Sequence, residues 1–138
     1  MGNLAVHLAL HGVLVLTLGA LAGLVLWRCV VKETNVADWH LFHASVTSRG
    51  IMLIALAAVI HHLVLPLWQI TMLSWFIIYF VWSSVLAMLI RAISGEPGFS
   101  WEGSSANKFV HLLYITGTIT LFPGLLLLAI GLYRGLPE

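Results

Sequence analysis

Apolar residues fill four long stretches of this chain, and shorter polar segments separate them. The stretches cover roughly 4–27, 47–65, 69–92 and 109–133. Each is close to the ~20 residues that an α-helix needs to cross the hydrocarbon core of a bilayer. A single segment in lipid must be helical, because only a helix satisfies its own backbone hydrogen bonds there. The pattern predicts one all-α membrane domain, a four-transmembrane-helix bundle with up-down-up-down topology.

The connections between the stretches differ in length and charge. Pro66 marks a tight turn between the second and third stretches, so those two helices should form an antiparallel hairpin. The other connections, roughly 28–46 and 93–108, are longer and polar, and most basic residues lie beside them: Arg28, Lys32, Arg49, Arg91 and Lys108. The positive-inside rule then predicts that both long loops are cytoplasmic. As a separate expectation, the membrane is a bacterial inner membrane.

Composition agrees with a membrane protein. Hydrophobic residues make up 61% of the chain and charged residues 8%, with a mean hydropathy of +1.05. The lipid bilayer is therefore the first expected partner. The formal net charge is only +1, so no basic field indicates a nucleic-acid partner. Cys29 is the single cysteine, which excludes a disulfide within the chain.

The histidines are the most informative polar residues. The chain has seven, and five lie in or against apolar stretches, where an ionisable group is costly and usually functional. His7 and His11, His40 and His43, and His61 and His62 form only fragments of the histidine boxes that a membrane di-iron site would need. A haem needs one or two axial imidazoles and a dry pocket between helices. The histidines therefore favour haem over a metal cluster, although polar contacts between helices or with the interface also explain most of them.

Aromatic and small residues add weaker indications. Trp75, Tyr79 and Trp82 share one face of the third stretch, and with His11 they are candidates for the wall of a pocket. Aromatic packing explains the same pattern equally well. Glycines form an arc on the first stretch, which is typical of close helix packing or of an oligomer interface: Gly12, Gly19 and Gly23.

One segment resembles a known family. Residues 39–52, from Trp39 through His43 and Arg49 to Met52, are similar to the segment that leads into the second helix of the styrene oxide isomerases. His11-Gly12, Leu26-Trp27 and the end of the last stretch at 129–133 are also similar, as are the size and the four-span layout. The family has asparagine where this chain has Arg49, and its third-helix active-site tyrosine has no match near Met88.

The resemblance implies a function and a site. Styrene oxide isomerases are homotrimeric membrane enzymes that hold haem b between neighbouring subunits and convert an apolar aryl epoxide into an aldehyde. By resemblance, His43 is the axial ligand of the haem iron, and Arg49 is a catalytic residue that donates to the epoxide oxygen or pairs with a haem propionate. The sequence pattern alone is also consistent with an Arg49 side chain that extends to the lipid headgroups.

Two other functions remain open at this level. A b-type cytochrome or haem sensor would use two axial histidines and have no isomerase activity. A non-catalytic accessory subunit of a larger membrane complex would use its histidines for packing and would carry no haem.

Overall fold

The chain folds into four long helices joined by short connections. The structure is a computed structural model that describes residues 2–136, and all regular secondary structure in that range is helical. The helices are α1 (Gly2–Lys32), α2 (Val36–Val59), α3 (Leu67–Ser94) and α4 (Ser105–Tyr133), and a 3-10 turn, Ile60–His62, ends α2. All four helices are long and apolar enough to cross a membrane. The predicted four-helix membrane bundle is confirmed.

The connection between α1 and α2 is shorter than the sequence pattern predicted. Helix α2 begins at Val36, and only residues 33–35 separate it from α1. Glu33 and Asn35 turn the chain with positive φ values of 53° and 45°, and the Asn35 Nδ2 donates to the Ala92 carbonyl at 2.8 Å. The polar segment at 28–46 is therefore mostly helix that continues beyond the apolar stretch, and His43 lies on α2 rather than in a loop.

Glycines bring α1 and α2 into close contact. A Cβ atom at Gly12 would lie 2.7 Å from the Ile54 Cγ1, and one at Gly50 would lie 2.7 Å from the Leu16 Cγ. A Cβ atom at Gly19 would lie 2.7 Å from the Thr47 Oγ1. Small residues of this kind let two backbones approach closely in lipid. The glycine arc of α1 thus packs against α2 within the chain.

Helices α3 and α4 form the second hairpin. Gly117 and Gly124 of α4 lie against Ser83 and Ile77 of α3. The Asn107 side chain orders the loop before α4, because it accepts from the Gly98 N–H at 2.8 Å and donates to the Ser100 and Glu102 carbonyls. Helix α3 is the most buried of the four and α4 the least. Most of α4 therefore faces lipid or a neighbouring molecule.

Candidate functional site

His43 is held by α1 in a single tautomer. Its Nδ1 lies 2.8 Å from the Gly19 carbonyl oxygen. Because a carbonyl only accepts, Nδ1 must carry the proton, and the lone pair of the neutral ring lies on Nε2. A histidine that binds a metal commonly donates its other ring N–H to a carbonyl in this way. The contact with α1 therefore leaves Nε2 of His43 without a proton and able to accept.

A glycine makes room for the imidazole. A Cβ atom at Gly23 would lie 3.2 Å from the His43 Cε1 and 3.3 Å from Nδ1. Gly19 supplies the acceptor and Gly23 supplies the space, so two residues one helical turn apart fix both the orientation and the proton position of the ring. The His43 side chain is partly exposed. These features fit an axial ligand of a haem iron, which needs one oriented imidazole with a free Nε2.

A cluster of metal ligands is not formed within residues 2–136, where no three histidine, cysteine or acidic side chains lie close enough to hold a metal ion. The histidine pairs noted in the sequence stay separate. The exposed His7 lies beside Trp75, while His40, His61 and His62 are exposed at helix ends.

Arg49 lies on a different face of α2 from His43. The two residues are six positions apart, which places them ~120° apart around a helix. The Arg49 Cζ lies 5.7 Å from the Phe80 ring centre on α3. The Arg49 Nε is buried and has no hydrogen-bond partner among residues 2–136. Within one chain, His43 therefore faces α1 whereas Arg49 lies against α3.

Three of the four candidate pocket-wall residues lie together. The Trp82 Nε1 donates to the His11 Nδ1 at 3.0 Å. The rings of His11 and Trp75 pack edge to face, with their centroids 6.4 Å apart. Since His11 accepts at Nδ1, its proton lies on Nε2, which is the opposite tautomer from His43. Tyr79 lies elsewhere, because its hydroxyl donates to the Thr116 Oγ1 on α4 at 3.0 Å. The cluster of His11, Trp75 and Trp82 is therefore a contact between α1 and α3.

Two side chains have partners that the sequence did not indicate. Arg91 forms an ion pair with Asp38 at 3.1 Å. His111 Nδ1 lies 3.0 Å from the Gly98 carbonyl, which again leaves Nε2 free. Nothing in the sequence pairs Arg91 with Asp38, because that contact depends on how α2 and α3 approach each other.

A comparison with protein families identifies the family of the chain. A family model described as styrene oxide isomerase matches residues 4–133, nearly the whole chain. The chain belongs to the styrene oxide isomerase family. No curated protein matches it significantly. The resemblance that residues 39–52 indicated is confirmed, and this styrene oxide isomerase family member is an integral membrane protein with four apolar helices.

Two positions that the resemblance singled out lie apart in the structure of this styrene oxide isomerase family member. The Arg49 guanidinium lies over the Phe80 ring of α3. Met88 packs against the hydrophobic core.

Proposed function

We propose that this protein is a haem-dependent membrane isomerase that converts an aryl or other apolar epoxide into an aldehyde. The observation that carries the proposal is the hydrogen bond from His43 Nδ1 to the Gly19 carbonyl, which leaves Nε2 free to bind iron. Haem b, when bound to His43, would supply a Lewis acid for the epoxide oxygen. The reaction is an isomerisation: one epoxide C–O bond breaks, a hydride moves to the neighbouring carbon, and a C=O bond forms, so no redox partner is needed.

The residues of the chain orient the ligand histidine, supply a charged hydrogen-bond donor and exclude water from the site. The carbonyl of Gly19 holds the His43 ring and its proton. Arg49 is the proposed hydrogen-bond donor to the epoxide oxygen, a role that its buried and unpartnered Nε supports. The apolar surroundings of α2 and α3 exclude water, which would otherwise open an epoxide to a diol. An apolar substrate partitions into the bilayer, so a site within the helices is accessible to it.

The assembly that we propose is a homotrimer with haem between neighbouring copies, in a bacterial inner membrane with the connections beside Arg28 and Arg91 in the cytoplasm. The exposed surface of α4 leaves room for neighbouring copies. The different faces of α2 that carry His43 and Arg49 also support sharing, since two neighbours can supply to one site what one chain holds on two faces.

One observation favours a second candidate function. His111 Nε2 is free for the same reason as that of His43, and both residues lie near the N-terminal ends of their helices, at the same end of the bundle. Two such imidazoles on one haem would make a bis-histidine cytochrome or haem sensor that excludes substrate. The iron spin state separates the two functions, because two histidines give a six-coordinate low-spin iron.

The test of the iron ligand is the pair of variants His43→Ala and His40→Ala. We expect His43→Ala to lose the Soret band while the purified protein keeps its helical circular dichroism and its oligomeric size. His40 is exposed on the same helix and serves as the matched control, whose Soret band should be unchanged. An unaltered Soret band and ligand field in His43→Ala would refute the assignment. Absence of haem from the wild-type protein would favour an accessory subunit.

A further inference from the structure

A groove lies on the outer face of α4, beside the loop that joins α3 to α4. Its volume is about 470 Å³. Gly98 and Phe99 of the loop line one end, and the other lining residues follow one face of α4: His111, Tyr114, Ile115, Thr118 and Ile119. His111 and Ile119 are eight residues apart, so the groove runs for about 12 Å along the helix. This elongated shape suits a chain rather than a compact molecule.

The position of the groove along α4 matches the depth profile of a bilayer. The helix has 29 residues and is therefore about 43 Å long, close to the ~40–45 Å of a bilayer with its headgroups. His111 lies six residues after the start of α4, about 9 Å along it, near the boundary between headgroups and hydrocarbon. Ile115 and Ile119 lie about one and two turns deeper, and both are exposed. A phospholipid would thus have its headgroup at His111 and an acyl chain along the isoleucines.

The headgroup end of the groove offers a hydrogen-bond acceptor. The Gly98 carbonyl oxygen accepts from the His111 Nδ1 at 3.0 Å, so the lone pair of the neutral ring lies on Nε2. The Trp101 ring packs edge to face against the His111 ring, with centroids 5.8 Å apart. The loop is fixed here, because the Gly98 N–H donates to the Asn107 Oδ1 at 2.8 Å. An N–H or O–H donor of a headgroup can therefore bind Nε2.

The charges of the loop favour a cationic group at this end. Residues 95–104 contain two carboxylates, Glu96 and Glu102, and no lysine or arginine. The nearby Arg91 guanidinium is already paired with the Asp38 carboxylate at 3.1 Å. A surface with excess carboxylate attracts cations and disfavours a headgroup whose only charge is negative. The donor that reaches Nε2 is therefore best supplied by an ammonium group.

We propose that the groove on α4 binds a phospholipid with a primary ammonium headgroup, such as phosphatidylethanolamine. The ammonium donates to the His111 Nε2, and one acyl chain follows Ile115 and Ile119. Lys108 is exposed one turn before His111 on the same helix, where it can pair with the lipid phosphate. The inference does not depend on the haem assignment. A His111 that binds lipid is unavailable to iron, which disfavours the bis-histidine candidate.

The headgroup preference of the wild-type protein tests the proposal without any substitution. The full chain in detergent is titrated with dioleoyl phosphatidylethanolamine or dioleoyl phosphatidylcholine, and bound lipid is counted by native mass spectrometry. The two lipids differ only in three N-methyl groups, which remove every N–H donor from the choline headgroup. We expect the ethanolamine lipid to bind about tenfold more tightly, as a hydrogen bond to a charged group would produce. Dioleoyl phosphatidylglycerol, which is anionic, should bind more weakly than the ethanolamine lipid.

Variants separate the headgroup end from the chain end of the groove. His111→Phe keeps a ring but removes the acceptor, so the ethanolamine and choline lipids should bind equally, whereas His111→Gln retains an acceptor and should keep part of the preference. His61→Phe is the matched control, because His61 is exposed and lies outside the groove. Thr118→Trp should block both lipids, and Leu126→Trp, which is exposed on α4 outside the groove, should block neither. Circular dichroism checks that each variant keeps its helices.

Three results would overturn the proposal. Equal affinities of the wild-type protein for the ethanolamine and choline lipids would show that no N–H donor of the headgroup is recognised. Tighter binding of phosphatidylglycerol would show that basic side chains such as Lys108 select an anionic headgroup instead. An ethanolamine preference that survives in His111→Phe would place the recognised headgroup elsewhere on the molecule.

Discussion

At the scale of single residues, the state of His43 is set by its neighbours on α1. The Gly19 carbonyl decides which ring nitrogen carries the proton, and the missing side chain of Gly23 decides where the ring can lie. The ligand chemistry that we propose for α2 is therefore controlled from α1. A substitution on α1 should change the haem without touching a ligand.

Gly23→Ala tests this control. The new methyl group would lie 3.2 Å from the His43 Cε1, so the ring must shift away and weaken its bond to Gly19. We expect a lower haem-to-protein absorbance ratio and faster haem loss to a scavenger protein, with the fold intact. Gly2→Ala is the same substitution at a helical glycine whose new methyl group meets no atom within 4 Å. Equal haem retention in both variants would mean that Gly23 does not position the ring.

Arg49 is the second residue whose role is testable. Arg49→Leu should reduce kcat on an aryl epoxide on the order of a hundredfold, as loss of one preorganised donor does in other enzymes. The haem content should stay the same, because Arg49 lies against α3 rather than beside His43. Arg49→Asn, which installs the residue typical of the family, should keep more activity than Arg49→Leu. Identical kinetics of Arg49→Leu and wild type would remove Arg49 from the site.

At the scale of helices, the closest packing is between α1 and α2. Gly12 and Gly50 lie opposite each other, and a Cβ atom at Gly50 would come within 2.9 Å of the Leu16 backbone nitrogen. Backbone atoms cannot move aside as a flexible side chain can. The two helices must therefore separate if either glycine gains a side chain.

Gly50→Ala should destabilise the hairpin by about 1–3 kcal/mol, the usual cost of overpacking. The measurement is unfolding in mixed micelles with increasing SDS, followed by circular dichroism. Ile51→Ala is the control on the same helix, because Ile51 is more than half exposed and its loss should leave the midpoint nearly unchanged. A midpoint of Gly50→Ala equal to that of wild type would contradict the close approach of the backbones.

Helix existence and type follow from sequence, whereas helix ends and contacts do not. The four apolar stretches predicted all four helices, because lipid leaves no other backbone conformation for them. The polar segment at 28–46 was wrongly expected to be a long connection, since polar residues such as Arg28 and Lys32 continue a helix beyond the apolar core as well as they form a loop. The motif around His43 predicts an axial ligand at that position, and this assignment stays a prediction. Its Gly19 acceptor and the Arg49–Phe80 contact were not predictable, because they depend on how separate helices pack.

At the scale of the whole molecule, the bundle consists of two hairpins with different surroundings. His43 belongs to the contact between α1 and α2, and Arg49 belongs to the contact between α2 and α3. If one substrate meets both groups, as the proposed function requires, they come from different copies of the chain. Oligomerisation would then complete the site rather than merely stabilise it.

Mixed oligomers test whether the site is shared. Copies carrying His43→Ala and copies carrying Arg49→Leu are each expected to be nearly inactive alone. Coexpression should restore activity, because some interfaces then combine an intact His43 from one copy with an intact Arg49 from its neighbour. A chain carrying both substitutions, coexpressed with wild type, controls for dilution. Mixed oligomers that stay inactive, although tagged copies copurify, would place both residues in the site of one chain.

The central claim is that His43 holds a haem whose iron keeps an open position for the epoxide oxygen. The most direct test is the absorption spectrum of the detergent-purified protein, ferric and then ferrous, with and without an aryl epoxide. We predict a Soret band typical of high-spin ferric haem that shifts when the epoxide is added. A low-spin spectrum with sharp α and β bands that the epoxide leaves unchanged, or the absence of any Soret band, would contradict the claim.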